Sequence, residues 1–537
     1  MIFPVFKANE IIITFGIRPI DICSRNPILW KYIKILYIVT FLFSNIIIVK
    51  RVCKKFLYHR KKKSNKDINK KEDISLLIGK NIINQENIYV YESGLYQNFL
   101  VTGTIGTGKT SSAMYPFTRQ LIEFNSKNGK QKLGMLILDV KGNYYKQVKK
   151  YVEQFGIKDD LIVIELGGYY KYNPLDKPNL KASVLANRLK TILNLFSDNS
   201  SESYWIDKAE QVLTEAIKLC RIYNNNYVTF KEIHKLVTDI NYYKNKVKIL
   251  KELFIQDKLN KIQIYELSTA LDFFQNEYEK LDTRTMAILK SEITRITNLF
   301  ISDYDVINTF CSKKEDLNFK GFSEAIKTGK IVVLNMNIAE YKNLSKVIAA
   351  YLKLDFQTEV MSNLSKENIK RTAFICDEYA EYVTKTDSDF FSLSREAKCI
   401  NIVSTQSYSS IKNTLKDDTA TKVICQNLIN KIWFRTDDSF TIEEAQKQLG
   451  KEEKTKTSKN ITESAKETNY NYITKTLNSK KSSISESYNI YKQQEYAFDT
   501  NYFTQKLETF TCLAFLSDGK QILKPQKLNM FPYFKER

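Results

Sequence analysis

Histidine is almost absent from this chain: His59 and His234 are the only two. Neither has a cysteine or a second histidine at metal-ligand spacing, which argues against zinc. The eight cysteines (Cys23, Cys53, Cys220, Cys311, Cys376, Cys399, Cys425 and Cys512) form no C-x-x-C pair. Several sit in apolar runs, such as AFICDE around Cys376 and VICQN around Cys425. That is the pattern of buried free thiols in a reducing compartment, not of a disulfide scaffold. Only 16 Gly and 8 Pro occur in 537 residues, so the chain is neither fibrous nor dominated by loops. Hydrophobic residues, at 43%, and aromatics, at 12%, are plentiful enough for a sizeable core and exclude a wholly disordered chain. At about 150 residues per domain, the length predicts three or four domain-sized units.

Charge is unbalanced. Lys and Arg number 82 against 60 Asp and Glu, a formal net charge of +22, which points to a polyanionic partner: nucleic acid or an anionic membrane surface. Its distribution decides between them. Residues 1–49 carry a net +3, residues 50–71 a net +10, and the remaining 466 residues only +9. More than half of the excess therefore lies in or beside the apolar run Ile33–Val49, IKILYIVTFLFSNIIIV, whose one charge is Lys34. With Lys34 snorkelling to the interface, this run is long enough to span a bilayer. It meets Lys50 and Arg51 rather than the small residues of a signal-peptide cleavage site, and it lacks the polar face of a core helix. The reading is an N-terminal segment 1–32, a single-pass transmembrane helix 33–49 and a basic juxtamembrane linker 50–97. The positive-inside rule places everything after the anchor in the cytoplasm, at the inner or plasma membrane, with the basic run drawn to anionic lipid headgroups.

From about Asn98, short β-branched runs alternate with helical patterns. Strands are expected at Asn98–Thr102, Met135–Val140, Leu161–Leu166, Ile331–Met336, Thr372–Asp377, Ile400–Thr405 and Lys431–Arg435. Several are apolar throughout, as central parallel strands covered on both faces must be. The fold class is α/β, a mostly parallel doubly wound sheet. The alternation breaks over 181–327, where helix-period patterns such as Tyr204–Leu219, Tyr243–Phe254 and Thr285–Phe300 predict an inserted all-α domain. The nucleotide-binding domain is thus split into 98–180 and 328–537. Residues 451–492, rich in Lys, Ser, Thr, Asn and Glu, read as a mobile insertion. Glu508–Leu516, an Asp518-Gly519 turn and Gln521–Lys524 read as a closing hairpin.

The most specific motif is GTIGTGKT, Gly103–Thr110, which fits G-x-x-x-x-G-K-[ST] between an apolar strand and a helical pattern. The nucleotide-binding set is Gly103, Thr104, Gly106, Thr107, Gly108, Lys109, Thr110 and Ser111. The glycines let backbone N–H groups turn inward around phosphate oxygens, and a helix N-terminus favours the anion. Lys109 can reach the β- and γ-phosphates of ATP, and the Thr110 hydroxyl can ligate Mg²⁺. The run TAFICDEYAE supplies the carboxylates: Asp377 ends an apolar strand and can hold Mg²⁺ through water, and Glu378 can act as general base on the attacking water. Arg395, in SREAKC, can act in trans on a neighbouring subunit's nucleotide. Gln406, in VSTQS, can sense the γ-phosphate.

With these residues assembled, the sequence resembles the VirD4/TraG-type coupling proteins of type IV secretion and conjugation systems, membrane-anchored relatives of the FtsK/HerA motor ATPases. The matching pieces are the P-loop, LILDVKGNYY (Leu136–Tyr145), YNPLD (Tyr172–Asp176), Ser203-Tyr204-Trp205, DEYAEY, SREAKCINIVSTQS and FLSDGKQILKPQK. Together they cover about Asn98 to Pro532. The resemblance implies a P-loop NTPase fold of the RecA-like kind, in a homo-hexameric ring ATPase that receives relaxase-bound single-stranded DNA and passes it to the secretion channel. It also implies that Arg395 is the arginine finger and Gln406 the sensor. Asp139 and Lys141 match a family motif without an evident chemical role. The chain departs from the family in offering one membrane span where two are common, and the 451–492 insertion matches nothing assignable. Two alternatives stay open: the same ATPase serving secretion of protein effectors, and a non-hydrolysing membrane adaptor, against which the intact Lys109, Thr110, Asp377 and Glu378 argue.

Overall fold

The computed structural model describes residues 74–535, apart from 130, 197–202, 367, 465–467 and 480–482, together with Ile28, Lys31, Tyr32, Ile35, Leu36, Val39 and Thr40. The chain divides into two units, Met1–Asp73 and Ile74–Arg537. In the first, the described residues are helical. The rest of the expected span 33–49, and the whole basic run 50–71, lie outside the described residues. Among the described residues no helix is long and apolar enough to cross a membrane.

The second unit is built on an eleven-stranded sheet. In chain order its strands are β1 (Ser75–Asn81), β2 (Asn87–Tyr91), β3 (Phe99–Thr102), β4 (Gly134–Leu138), β5 (Leu161–Ile164), β6 (Ile331–Leu334), β7 (Thr372–Cys376), β8 (Cys399–Thr405) and β9 (Asn430–Trp433). Four strands outside this sheet follow: β10 (Lys451–Ser464), β11 (Thr468–Asn471), β12 (Thr476–Ser479) and β13 (Ser483–Tyr496). The sheet is completed by β14 (Thr511–Phe515) and β15 (Gln526–Asn529). The sheet order is β2-β1-β15-β14-β9-β3-β8-β7-β4-β6-β5. From β9 to β5 every pairing is parallel, and the four strands beyond β9 are antiparallel.

The seven strands expected from apolar runs all form, each within a residue or two of the expected ends. Strands β3, β4, β6 and β7 are buried at every position, which only a sheet covered on both faces allows. Two cores follow from the alternation of side chains. Phe99, Val101, Met135 and Ile137 face the helices Tyr115–Lys127 and Tyr144–Gln154. Leu100, Leu136, Leu138 and Phe374 face the opposite core. That second core is continuous with the helical insert, sharing one cluster with Leu213, Phe230 and Phe300. Helices, and no strand among the described residues, fill the chain from Ala182 to Thr328.

Three readings need correction. Residues 75–91, taken as the end of the basic linker, are strands β1 and β2, which extend the sheet through β15. Both are only partly buried, β2 at the sheet edge and β1 between β2 and β15, so they lack the uninterrupted burial that marks the central strands. The partner of β14 is Gln526–Asn529 rather than Gln521–Lys524, which contributes a single bridge, Ser517 to Ile522. Residues 451–492, read as a mobile insertion, contain regular structure among the described residues: β10 and β13 pair antiparallel over fourteen residues each, from Lys451 opposite Tyr496 to Ser464 opposite Ser483. This ribbon is solvent-exposed and held by cross-strand pairs such as Lys456–Glu495, Lys459–Glu486 and Lys492–Glu453. Low apolar content excludes a core, but it does not exclude a ladder of backbone hydrogen bonds.

A buried ion pair ties the long helix Ile338–Ser362 to the segment after β7. Lys353 and Asp387, both with fully buried side chains, meet at 2.6 Å. Lys353 also donates to the Tyr382 carbonyl (2.6 Å) and the Thr384 hydroxyl (3.0 Å), and Asp387 accepts from the Tyr379 hydroxyl (2.6 Å) and Gln357 (2.9 Å). Truncating one partner strands the other charge, so Lys353→Ala should cost about 3–5 kcal/mol in denaturant unfolding, and the Lys353→Met/Asp387→Leu double variant much less.

Candidate functional site

The parallel register of three strands assembles the site. Thr102 of β3 lies opposite Thr405 of β8, and Cys376 of β7 opposite Val403, so the carboxyl ends of all three emerge together. Ligands of open α/β sheets bind at such an edge. The glycine-rich loop leaves β3 here and enters a wide π-type turn, Thr110–Met114, that leads into the helix Tyr115–Lys127. Gly106 and Gly108 have φ of +80° and +99°, where a side chain would be strained. A Cβ on Gly108 would also lie 2.5 Å from the Phe510 ring. The loop is braced from outside by Thr104 N–H donating to the Arg435 carbonyl (2.9 Å), and from inside by the Thr107 hydroxyl donating to the Thr104 carbonyl (2.8 Å).

Lys109 is 7% exposed, and its ammonium donates to the carbonyls of Gly103 (2.5 Å) and Thr104 (3.3 Å). Burial pushes its pKa down, while Glu378 and Asp377 act in the other direction. Asp377, 1% exposed, accepts from the Thr110 hydroxyl at 2.8 Å and from the Ser404 hydroxyl of β8. Its N–H donates to the Leu138 carbonyl of β4 (3.0 Å), which fixes the strand tip. Glu378 follows in the left-handed region, at φ +53°. Burial, and then the neighbouring Asp377, push its carboxyl above the usual glutamate range, opposed by Lys109, Lys141 and a hydrogen bond from Gln406. The Gln406 amide reaches Glu378 Oε1 at 3.5 Å, the outer limit of such contacts. The Lys353–Asp387 network clamps Tyr379, the residue after Glu378, and so holds the turn that carries it.

One expected residue lies elsewhere. Arg395 follows the helix Asp387–Leu393 and precedes β8, at the opposite edge of the sheet from the loop. Seven residues of β8 set those edges roughly 20 Å apart. Arg395 is exposed and donates to the Gly519 carbonyl at 3.2 Å. It cannot meet the nucleotide loop of its own chain. Asp139, which had no evident role, caps the helix Tyr144–Gln154: buried at 2% exposure, it accepts from the N–H groups of Asn143 (2.9 Å) and Tyr144 (3.1 Å). Burial and the nearby Asp377 raise its pKa, opposed by those backbone donors. Ser404 and Phe510 were missed. Ser404 is one of many strand hydroxyls in the sequence, and only the parallel register aims it at Asp377.

The donor set suits a nucleotide with a hard divalent cation. A hydroxyl and a carboxylate, 2.8 Å apart at the mouth of a glycine cradle, are oxygen ligands of the kind magnesium takes. Among the described residues no cluster of three or more His, Cys, Asp or Glu side chains could cage a metal, so most of its shell would be water and phosphate. The six cysteines among the described residues are free, and His234 pairs with Thr297 (3.0 Å).

Comparison with known proteins gives a consistent picture. Residues 371–495 match the model of a family, TraG-D_C, described as the TraM recognition site of TraD and TraG. No curated protein sequence matches the chain. Among solved structures, the unbound conjugative coupling protein TrwB, lacking its N-terminal segment, aligns with a TM-score of 0.55 at 12% identity, over 83% of this chain and 87% of that one. TrwB with the GTP analogue GDPNP aligns at 0.54 and 12% identity, over 82% and 87%. TrwB with ADP and Mg²⁺ aligns at 0.53 and 12% identity, over 82% and 86%. At such identity these likenesses speak for the fold, and with the family match they uphold the resemblance to TraG/VirD4-type coupling proteins.

Gly108→Ala forces a side chain into both a left-handed backbone and the Phe510 ring. It should weaken Mg·ATP binding about tenfold or more in calorimetric titration, because strain at φ > 0 and the clash both displace the cradle.

Proposed function

We propose that this chain is a membrane-anchored ATPase that couples nucleotide hydrolysis to the transfer of relaxase-bound single-stranded DNA into a type IV secretion or conjugation channel. The observation that carries the proposal is the joining of Thr110 to Asp377 across three parallel strands, with Glu378 beside them and Gln406 within reach. Lys109 balances the β- and γ-phosphate charge. Glu378, with its raised pKa, takes the proton of the attacking water, and Gln406 orients that water or reports on the γ-phosphate. Thr110, and Asp377 through water, would hold Mg²⁺, whose chemistry is to neutralise charge on the phosphate oxygens. Arg395, remote from the loop of its own subunit, serves a neighbour's nucleotide in a homo-hexameric ring.

Pore contacts to phosphates need no base reading, which agrees with a net charge of only +9 spread over residues 72–537. Anchoring rests on the span 33–49 and the basic run that follows it. The match to a TraM recognition segment supports contact with an accessory protein of the DNA-processing complex. Within that segment β7, β8 and β9 are buried, whereas the β10–β13 ribbon is exposed, so the ribbon offers the access.

Two measurements test this reading. Lys109→Ala should abolish binding and hydrolysis. Glu378→Gln should keep Mg·ATP binding while lowering kcat about 10²–10⁴-fold, as loss of a general base does. A Glu378→Gln enzyme with unchanged kcat contradicts the role. The pH dependence has two limbs. Activity should fall on the acid side as Glu378 is protonated, at a pH above the ordinary glutamate range because its pKa is raised. It should fall on the alkaline side as Lys109 loses its proton, at a pH below the ordinary lysine value. Glu378→Gln should remove the acid limb only.

A further inference from the structure

Beside the nucleotide loop lies a feature that hydrolysis does not require. Phe510 is the one aromatic with φ in the left-handed region among the described residues, at +63°. A bulky side chain there is strained and persists only where its surroundings hold it. Two backbone bonds do so: Phe510 N–H donates to the Thr107 carbonyl of the phosphate loop (3.1 Å), and Met530 N–H donates to the Phe510 carbonyl (2.8 Å). The result presses the half-buried ring onto the Gly108 backbone, at a distance only glycine permits. The ring also meets Phe534 of the C-terminal turn edge-on, with centroids 5.9 Å apart. Phe534 is 57% exposed, and Tyr533 next to it packs edge-on against Tyr115 at the start of the loop's helix (5.1 Å).

The same ring forms part of the wall of a groove of about 1100 Å³, large enough for a nucleoside, lined by Ser112, Arg119, Phe510, Asn529, Phe531 and Lys535 among others. Ser112 follows Thr110 by two residues, so the groove opens where the chain leaves the phosphate cradle. A triphosphate seated on Gly103–Thr110 must project its sugar and base away from Asp377 and Glu378, past the first turn of the helix.

We propose that Phe510, together with the C-terminal turn Tyr533–Lys535, forms the platform on which the nucleotide's base stacks. The inference rests on the nucleotide reading above and adds to it the residues that recognise the base. Stacking on an aromatic face suits any purine or pyrimidine, and truncating such a ring typically weakens binding about tenfold. The strained backbone of Phe510 then has a use: it turns the ring toward the loop instead of into the sheet, where β14 begins one residue later.

The test uses the full chain in detergent and two magnesium-bound probes, ATP and inorganic tripolyphosphate, which keeps the phosphates and lacks the base. Affinities are read by calorimetry for the wild type and for Phe510→Leu, Phe510→Trp and Phe534→Ala. Phe510→Leu should weaken ATP about tenfold and leave tripolyphosphate within twofold. Phe510→Trp should hold ATP within about twofold. Phe534→Ala, at an exposed position that the fold tolerates, should weaken ATP a few-fold and tripolyphosphate not at all. Equal weakening of both probes by Phe510→Leu would mean that the ring only props the phosphate loop, and unchanged ATP affinity in both Phe510→Leu and Phe534→Ala would mean that the base lies elsewhere; either overturns the proposal. A wild-type chain that binds tripolyphosphate no more weakly than ATP overturns it too, while leaving the phosphate site standing. One that binds neither overturns the nucleotide reading itself.

Discussion

The alignment of β3, β8 and β7 is the constraint on which everything at the candidate site depends. A parallel sheet brings strand ends to a common edge, and here the register places Thr102, Thr405 and Cys376 near one level. The glycine-rich loop, Ser404 with Gln406, and Asp377 with Glu378 each leave the edge from a different strand. The Thr110–Asp377 hydrogen bond joins the outer two across the middle one. A slip of one residue in β8 would point Ser404 to the other face and separate these groups, because side chains alternate along a strand. The helical insert does not disturb this edge, since it packs on one face of the sheet and shares its core.

Around that edge the molecule keeps charges and backbone under tension that only the surrounding fold sustains. Lys109, Asp377 and Asp139 are all nearly buried, and Glu378 is raised in pKa between a carboxylate and an ammonium. Glu378 and Phe510 both occupy left-handed backbone. The buried Lys353–Asp387 pair lies behind Glu378 and fixes the turn that bears it. Such a pair gives little net stability, but it leaves the turn few alternative conformations.

The central strands were legible because burial on both faces demands uninterrupted apolar runs, and the phosphate loop because its glycines sit at fixed spacing. Strands β1, β2 and β15, on the antiparallel side of the sheet, were not, since each is only partly buried and β1 finds β15 from the far end of the chain, Lys80 lying opposite Asn529. The β10–β13 ribbon escaped notice for a related reason: its stability comes from backbone bonds and cross-strand charge pairs, which leave no hydrophobic signature. Asp377 and Glu378 announced themselves as an acidic pair ending an apolar strand. Phe510 did not, because one phenylalanine among 31 looks like core until its φ and its contact with Gly108 are known. Arg395 shows the remaining limit. It lies at the far edge of its own sheet, and the role proposed for it needs a neighbouring subunit, a relation no single chain contains.

The most direct test of the account is steady-state ATP turnover by the full chain in lipid vesicles, with and without single-stranded DNA. Magnesium-dependent hydrolysis that single-stranded DNA accelerates several-fold is the expected result. Hydrolysis that is absent under both conditions, in a chain that still binds nucleotide, would contradict it.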